Sequence, residues 1–328
     1  MIEPASGDHD LRALIEEFFR TSFATDNPLI TEAVHRMLAA GGKRLRPRIT
    51  LLAAEAMGAD PAEHLPLASY MELIHVATLI HDDVVDNAAT RRGVNATAVD
   101  FGNRISVLAG DYLFAWIFKN VTAGFPHPIP HILSSTLADI TDGEVLQLGA
   151  LGNLDLGVAE YIDIIVKKTA ALFAASAECG AIMGEGSPLR VKALRDFGLH
   201  YGIAFQMRDD LLDMVADEAT LGKPVGNDLR ERKVTLPLIS ALDGADSEFR
   251  ADVERFYDED DESRERIAGL VERIGARGGF EKTEASIVTF IERAKISLAP
   301  LGSTPARSKL NDLADALVND GVPGKRRF

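Results

Sequence analysis

A single cysteine, Cys179, stands in the chain, so an intrachain disulfide cannot form and a cysteine-built zinc site has no basis. It lies in an Ala-rich apolar run and reads as a small buried hydrophobe. Aromatic residues are scarce, at 6%, while Ala and Leu are abundant, a bias towards helices over strands. Runs of period 2 with hairpin signals are missing. So are the glycine-rich nucleotide loops G-x-x-x-x-G-K-[ST] and G-x-G-x-x-G. Positive charge is in deficit: the net charge of −15 argues against nucleic acid as the main partner. It does not exclude anionic substrates, because local cations and metal ions decide that. Long apolar runs are lacking too. The longest charge-free stretch, Asn120 to Ala138, holds Pro126, Pro128 and Pro130 and is no membrane span. The acidic segment Met1 to Asp10 has no signal-peptide core. The expectation is a soluble, cytoplasmic protein.

What is present is helix after helix. Hydrophobic residues make up 46% of 328, enough for a substantial core. Leu11, Leu14, Ile15, Phe18 and Phe19 form a first amphipathic face. Pro28 opens a second helix that ends near Gly41-Gly42, and Pro47 opens a third that stops at Met57-Gly58. Further helices are predicted over Pro61 to His81, Arg104 to Val121, Pro130 to Leu148, Val158 to Met183 and Pro188 to Val215. Arg250 to Arg277 is highly charged and reads as a solvated helical face and loop. No composition shift marks a boundary, so one all-α domain over residues 1–328 is expected.

Two acidic clusters of the same form, Asp82-Asp83-Val84-Val85-Asp86 and Asp209-Asp210-Leu211-Leu212-Asp213, end apolar helical stretches. In a helix, Asp82 and Asp86 project from one face about 6 Å apart along the axis, as do Asp209 and Asp213. Such carboxylates repel one another, and a hard divalent cation removes the penalty. A lone D-D-x-x-D is as readily an exposed helix end. Here both clusters follow apolar helix and precede basic residues: Arg91-Arg92-Gly93 after one, Lys223 and Lys233 after the other. Acid for metal and base for phosphate is the pattern a metal–diphosphate site needs.

With Gly41-Gly42-Lys43-Arg44-Leu45-Arg46-Pro47, Gly110-Asp111, Lys168-Thr169-Ala170, Phe205-Gln206 and Leu221-Gly222-Lys223-Pro224 in the same order, the chain resembles the trans-type isoprenyl diphosphate synthases, the polyprenyl synthetase family. The likeness runs from Gly41 to about Ser240. It implies an antiparallel all-α bundle around a deep central cavity, usually as a homodimer. It implies that Asp82 and Asp86 ligate Mg²⁺ on an allylic diphosphate, with Asp83 supporting them. Asp209 would ligate a third Mg²⁺, with Asp210 and Asp213 as ligand or outer shell. Arg91, Lys168, Lys223 and Lys233 resemble the cations that clamp that diphosphate. Thr169 and Gln206 resemble the groups beside the ionising carbon, and Gln206, three residues before Asp209, shares its helix face. Lys43, Arg46, His75 and Arg92 match the positions that hold isopentenyl diphosphate, which carries no metal. Basic charge at a helix start opposes the macrodipole, so Lys43 and Arg46 call for an anion. His81 and Asp111 read as structural, and Lys167 as a solvated charge.

The implied reaction is ionisation, condensation and elimination, without a Ser, His or Cys nucleophile. Ala77 and Thr78 lie five and four residues before Asp82, about 7.5 and 6 Å deeper along the helix. Both are small, and relatives that stop at farnesyl or geranylgeranyl often carry an aromatic there. A product longer than geranylgeranyl is therefore expected, with any membrane association loose and through that product. Ile140 and its helix could form a deeper floor. A farnesyl or geranylgeranyl synthase is the alternative. A class I terpene cyclase would lack the Lys43, Arg46 and His75 set, a regulatory subunit usually loses cluster aspartates, and an acidic binding protein would not explain the ordered basic motifs.

Overall fold

The computed structural model describes residues 6–23, 25–91, 94–215, 226–258 and 263–319. The described residues are helical apart from turns and a two-residue antiparallel pairing of β1 (Thr90–Arg91) with β2 (Val94–Asn95), a pairing the sequence did not signal. Among the described residues no helix is long and apolar enough to cross a membrane. Contacts group the chain into two units, Met1–Ser135 with Ala175–Arg195 and Thr304–Ala306, and Thr136–Ala174 with Asp196–Ser303 and Arg307–Phe328.

The first unit holds α1 (Ser6–Ser22), α2 (Pro28–Ala39), α3 (Leu45–Ala56), α4 (Leu65–Val85), α5 (Thr97–Phe101) and α6 (Asn103–Gly124). Helix α4 is its axis and packs against α3 and α6. It is apolar almost all round, and Leu67, Met71, Leu73, Ile74 and Ile80 are buried along it; a helix of that composition belongs inside. Two boundaries differ from expectation. Pro61–His64 forms a 3₁₀ turn, and α3 begins at Leu45, two residues ahead of Pro47, so the proline falls in the first turn, where its missing N–H costs nothing.

The N-terminus of α3 has no side-chain cap and no acid in its first turn. Arg44 precedes it with φ of 48°, a left-handed conformation uncommon for a side-chain-bearing residue. A buried ion pair holds that conformation. Arg44 (5% exposed) donates from Nη1 to Glu72 Oε1 on α4 at 2.6 Å and from Nη2 to the Leu38 carbonyl at 3.0 Å. Arg44 and Arg46 are thus buried, and only Lys43 of the trio is exposed.

The second unit contains α8 (Val158–Ile165), α11 (Asn227–Arg230), α12 (Leu236–Leu242), α13 (Ser247–Asp258), α14 (Arg264–Ala276) and α15 (Gly279–Ser297). Helices α7 (Ile129–Gly149), α9 (Ala171–Met183) and α10 (Pro188–Val215) each contribute residues to both units, and α16 (Pro305–Asn319) begins in the first and continues in the second. Val166–Ala170, between α8 and α9, is a π-helical turn that interrupts the helix expected over Val158 to Met183. The charged segment Arg250 to Arg277 is not merely solvated. Its two helices bury Val253, Phe256, Ile267, Leu270 and Ile274, and Asp252, itself buried, accepts from Arg255, Arg266 and Arg273. Cys179 is fully buried, and burial pushes its thiol pKa up. Substituting Glu72→Gln leaves the Arg44 guanidinium buried opposite a neutral amide, so global stability is expected to fall by about 3 kcal/mol, measured by urea unfolding.

Candidate active site

The first acidic cluster sits on the last turn of α4. Asp82 and Asp83 lie within that turn and Asp86 is the C-cap, its N–H bonded to the Asp82 carbonyl at 2.8 Å. Carboxylates at the negative end of a helix dipole are disfavoured, so the helix does not gain from them. The three divide by environment. Asp83 is 0% exposed and takes the Arg91 guanidinium, from Nε at 2.7 Å and Nη2 at 2.6 Å, both on Oδ1. Asp82 and Asp86 are half-buried and share the opposite stripe. The sequence reading of Arg91 as a diphosphate cation meets this fact: in the chain alone, Arg91 is the counter-ion of Asp83.

The accessible stripe of α4 continues towards its N-terminus through Thr78 and His75, both half-buried, at the four- and seven-residue spacings that bring them under Asp82. The Thr78 hydroxyl donates to the His75 carbonyl at 2.8 Å. Ala77 is fully buried among the packed positions, so the two residues of the predicted chain-length pocket face different surroundings. His81 points away, its ring over Gly110 of α6 and its Nε2 3.1 Å from the Val107 carbonyl, as expected of a structural residue. Arg92 lies outside the described residues.

The second cluster is on α10, whose partner is the α8–π–α9 segment. Glycine brings the two backbones together. A Cβ at Gly198 would stand 2.4 Å from the Phe173 carbonyl oxygen, and one at Gly202 2.6 Å from the Ala170 Cα. The next positions of this four-residue stripe, Gln206 and Asp210, meet the preceding residues of the partner. The Thr169 hydroxyl donates to Gln206 Oε1 at 2.8 Å, Gln206 Nε2 donates to Asp210 Oδ1 at 2.7 Å, and the Tyr161 hydroxyl donates to Asp210 Oδ2 at 2.6 Å. The sequence spacing paired Gln206 with Asp209. The structure pairs it with Asp210, one full turn on, because the stripe runs in steps of four.

These placements sort the second cluster as well. Burial pushes the Asp210 carboxyl up to about 7, Asp209 and Asp213 add to the rise, and the bonds from Tyr161 and Gln206 oppose it. Asp213, also buried, accepts the backbone N–H of Asp228 at 2.9 Å and so fixes the start of α11. Asp209 alone of the three is exposed. Lys168 projects from the π turn to Glu144 Oε2 and Gln147 Oε1 of α7, each at 2.5 Å. Helix α7 reaches it through Gly143, where a Cβ would lie 2.5 Å from the Lys168 backbone N. Lys167 pairs with Asp142 and Asp163 at the surface. Lys233 bonds Glu231 at 2.5 Å, and its N–H meets the Asp228 carbonyl. Lys223 lies outside the described residues.

In each cluster the donors are oxygen only; Asp82 and Asp86 in the first and Asp209 in the second are accessible, and carboxylate oxygens suit a hard divalent cation. Among the described residues no three or more His, Cys, Asp or Glu form a cage by themselves. Mg²⁺ is commonly held by one or two carboxylates with waters and substrate phosphates. Sequence reasoning missed Tyr161, Gly143, Glu144, Gln147 and Asp228. The Gly198, Gly202, Gln206, Asp210 spacing was readable, but Tyr161 carried no signal, because the π turn breaks the register between it and Lys168.

Residues 27–274 match the family model described as polyprenyl synthetase. The chain belongs to the polyprenyl synthetase family. This polyprenyl synthetase is 38% identical over 310 residues to the short chain isoprenyl diphosphate synthase of Methanothermobacter thermautotrophicus, covering 93% of this chain and 95% of the relative. Among solved structures, the decaprenyl diphosphate synthase from Rhodobacter capsulatus superposes with a TM-score of 0.89 at 39% identity, covering 96% of this chain and 97% of that one. A polyprenyl synthase from Caulobacter crescentus, complexed with calcium and isoprenyl diphosphate, gives 0.88 at 37% identity, covering 94% and 93%. The chain is a prenyltransferase. Replacing Gly143→Ala forces α7 off the π turn, so turnover of this polyprenyl synthetase is expected to drop about tenfold or more, read from incorporation of labelled isopentenyl diphosphate.

Proposed function

We propose that the chain is an all-trans polyprenyl diphosphate synthase, which adds isopentenyl diphosphate head-to-tail, and repeatedly, to an allylic diphosphate with Mg²⁺. The observation that carries the reading is the sorting within each cluster. Asp83, Asp210 and Asp213 are buried, while Asp82, Asp86 and Asp209 keep an accessible face. Calcium and isoprenyl diphosphate in the similar Caulobacter crescentus protein support a divalent metal and a diphosphate substrate.

On this reading Asp82, Asp86 and Asp209 hold the metal, three ions per site. When bound, Mg²⁺ supplies Lewis-acid charge that eases departure of the diphosphate. Lys168, Arg91 and Lys233, with Lys223, share the negative charge that develops on the leaving group. Arg91 does so while anchored on Asp83, and Lys168 turns from Glu144 and Gln147. Lys43, Arg46 and His75, with Arg92, hold the diphosphate of isopentenyl diphosphate at the uncapped start of α3, where orphan N–H groups favour an anion. The allylic C–O bond breaks, the isopentenyl double bond forms the new C–C bond, and the proton lost passes to the released diphosphate. Thr169 and Gln206 flank the reacting carbon, and apolar helix walls keep water from it.

Overall identity does not set product length, since a short-chain and a decaprenyl synthase are matched almost equally. Small residues at Ala77 and Thr78 favour a product longer than geranylgeranyl. We further propose one catalytic domain per chain, a homodimer supported by exposed apolar residues such as Leu108 and Val145 (56% and 61% exposed), and a cytoplasmic enzyme that meets membranes only through its product.

Product analysis with labelled isopentenyl diphosphate and a farnesyl or geranylgeranyl primer tests the activity. Polyprenyl diphosphate is expected only when Mg²⁺ is present; hydrocarbon from the primer alone would mean a cyclase. Asp82→Ala and Asp209→Ala are each expected to lower turnover by about a hundredfold or more. Ala77→Tyr is expected to shift the product ladder, read by thin-layer chromatography, to shorter chains; an unchanged ladder places the ruler elsewhere.

A further inference from the structure

Asp210 is 4% exposed and carries two donors, one per oxygen: Tyr161 on Oδ2 and Gln206 on Oδ1. Tyr161, 3% exposed on α8, stands seven residues before Lys168 and belongs to none of the motifs above. We propose that Tyr161 is a positioning residue of the condensation, which acts through Asp210 to fix Gln206 and Thr169 in one hydrogen-bond direction. The inference rests on the function proposed for this site.

Both Asp210 oxygens accept in the structure, Oδ2 from the Tyr161 hydroxyl and Oδ1 from Gln206 Nε2. With Oδ1 used as an acceptor, Gln206 presents its NH₂ there, since the reversed amide would set oxygen against oxygen. Its carbonyl Oε1 then faces Thr169, whose single hydroxyl proton is used at 2.8 Å. Thr169 is left with lone pairs only. A hydroxyl in that state puts negative partial charge towards a neighbouring allylic cation and has no proton to give it. The direction of the whole row depends on the carboxylate not turning about its Cβ–Cγ bond. Oδ1 and Gln206 are joined through a flexible side chain, whereas Oδ2 is tied to a phenol, a rigid ring packed in the interior. Tyr161 is therefore the fixed end of the row, and Thr169 the working end.

Four full-length proteins test this: wild type, Tyr161→Phe, Asp210→Asn and the double variant. Each is assayed with Mg²⁺ and both substrates. Circular-dichroism melting reports the fold, and calorimetric titration with an unreactive allylic thiodiphosphate reports binding apart from turnover. Tyr161→Phe is expected to melt close to wild type and to lose about tenfold in kcat. Its KM for isopentenyl diphosphate and its affinity for the thiodiphosphate should stay within about twofold. The double variant should be no slower than Asp210→Asn alone, because residues acting as one unit are non-additive. Wild-type kcat in Tyr161→Phe, effects that multiply in the double variant, or a Tyr161→Phe chain that does not fold would each overturn the proposal. A wild-type protein that forms no condensation product fails the proposed activity itself, an outcome seen before any variant is made.

Discussion

Carboxylates crowded on one helix end repel, and nearly everything about this site follows from how the chain lives with six of them. Asp83 is paired with Arg91, Asp210 accepts from a phenol and an amide, and Asp213 accepts a backbone N–H. Each is removed from water, where an unmatched charge would be intolerable. The other three stay near solvent. The clusters are thus two populations with one spelling: buried members are held by the scaffold, and the others keep a face towards solvent.

The second condition is the close approach of backbones. At Gly198 and Gly202 helix α10 lies against its partner more tightly than any side chain would allow, and this distance lets the short side chains of Thr169 and Asp210 reach their neighbours. Larger separation would need longer side chains, with more rotamers and less certain aim. The all-α fold serves the chemistry in the same way. Long helices carry groups at fixed rise and angle, so that His75, Thr78 and Asp82 form a column along α4 without any loop to position them.

Much of this was legible in the sequence. The helix over Pro188 to Val215 was read at its observed limits, since its apolar spacing and the opening proline both pointed to it. Lys167 was read as a solvated charge and His81 as structural; the structure sets Lys167 against the surface carboxylates of Asp142 and Asp163 and His81 against the Val107 carbonyl. What failed shares one cause: contacts made across elements leave no local trace. Arg44 was quoted only as part of a basic motif, and its buried pairing with Glu72, 28 residues on, was not foreseen. Arg250 to Arg277 looked solvated because its charges outnumber its apolar residues, although the latter fall on one face of each helix. Gln206 was read as sharing a face with Asp209, and its hydrogen bond to Asp210 was not foreseen, because three and four residues are both neighbours on a helix and only packing chooses between them.

The π turn at Val166–Ala170 has a further consequence for how this segment can change. A π turn holds one more residue than the regular helix around it, which makes it the trace of a single-residue insertion. Removing one residue there would restore an unbroken, better-bonded helix from Val158 to Met183, and would rotate one half against the other by roughly 100°. Tyr161 and Thr169 could then not both face α10. Regularity of the helix and the facing of these two hydroxyls towards α10 are in opposition at this point of the chain.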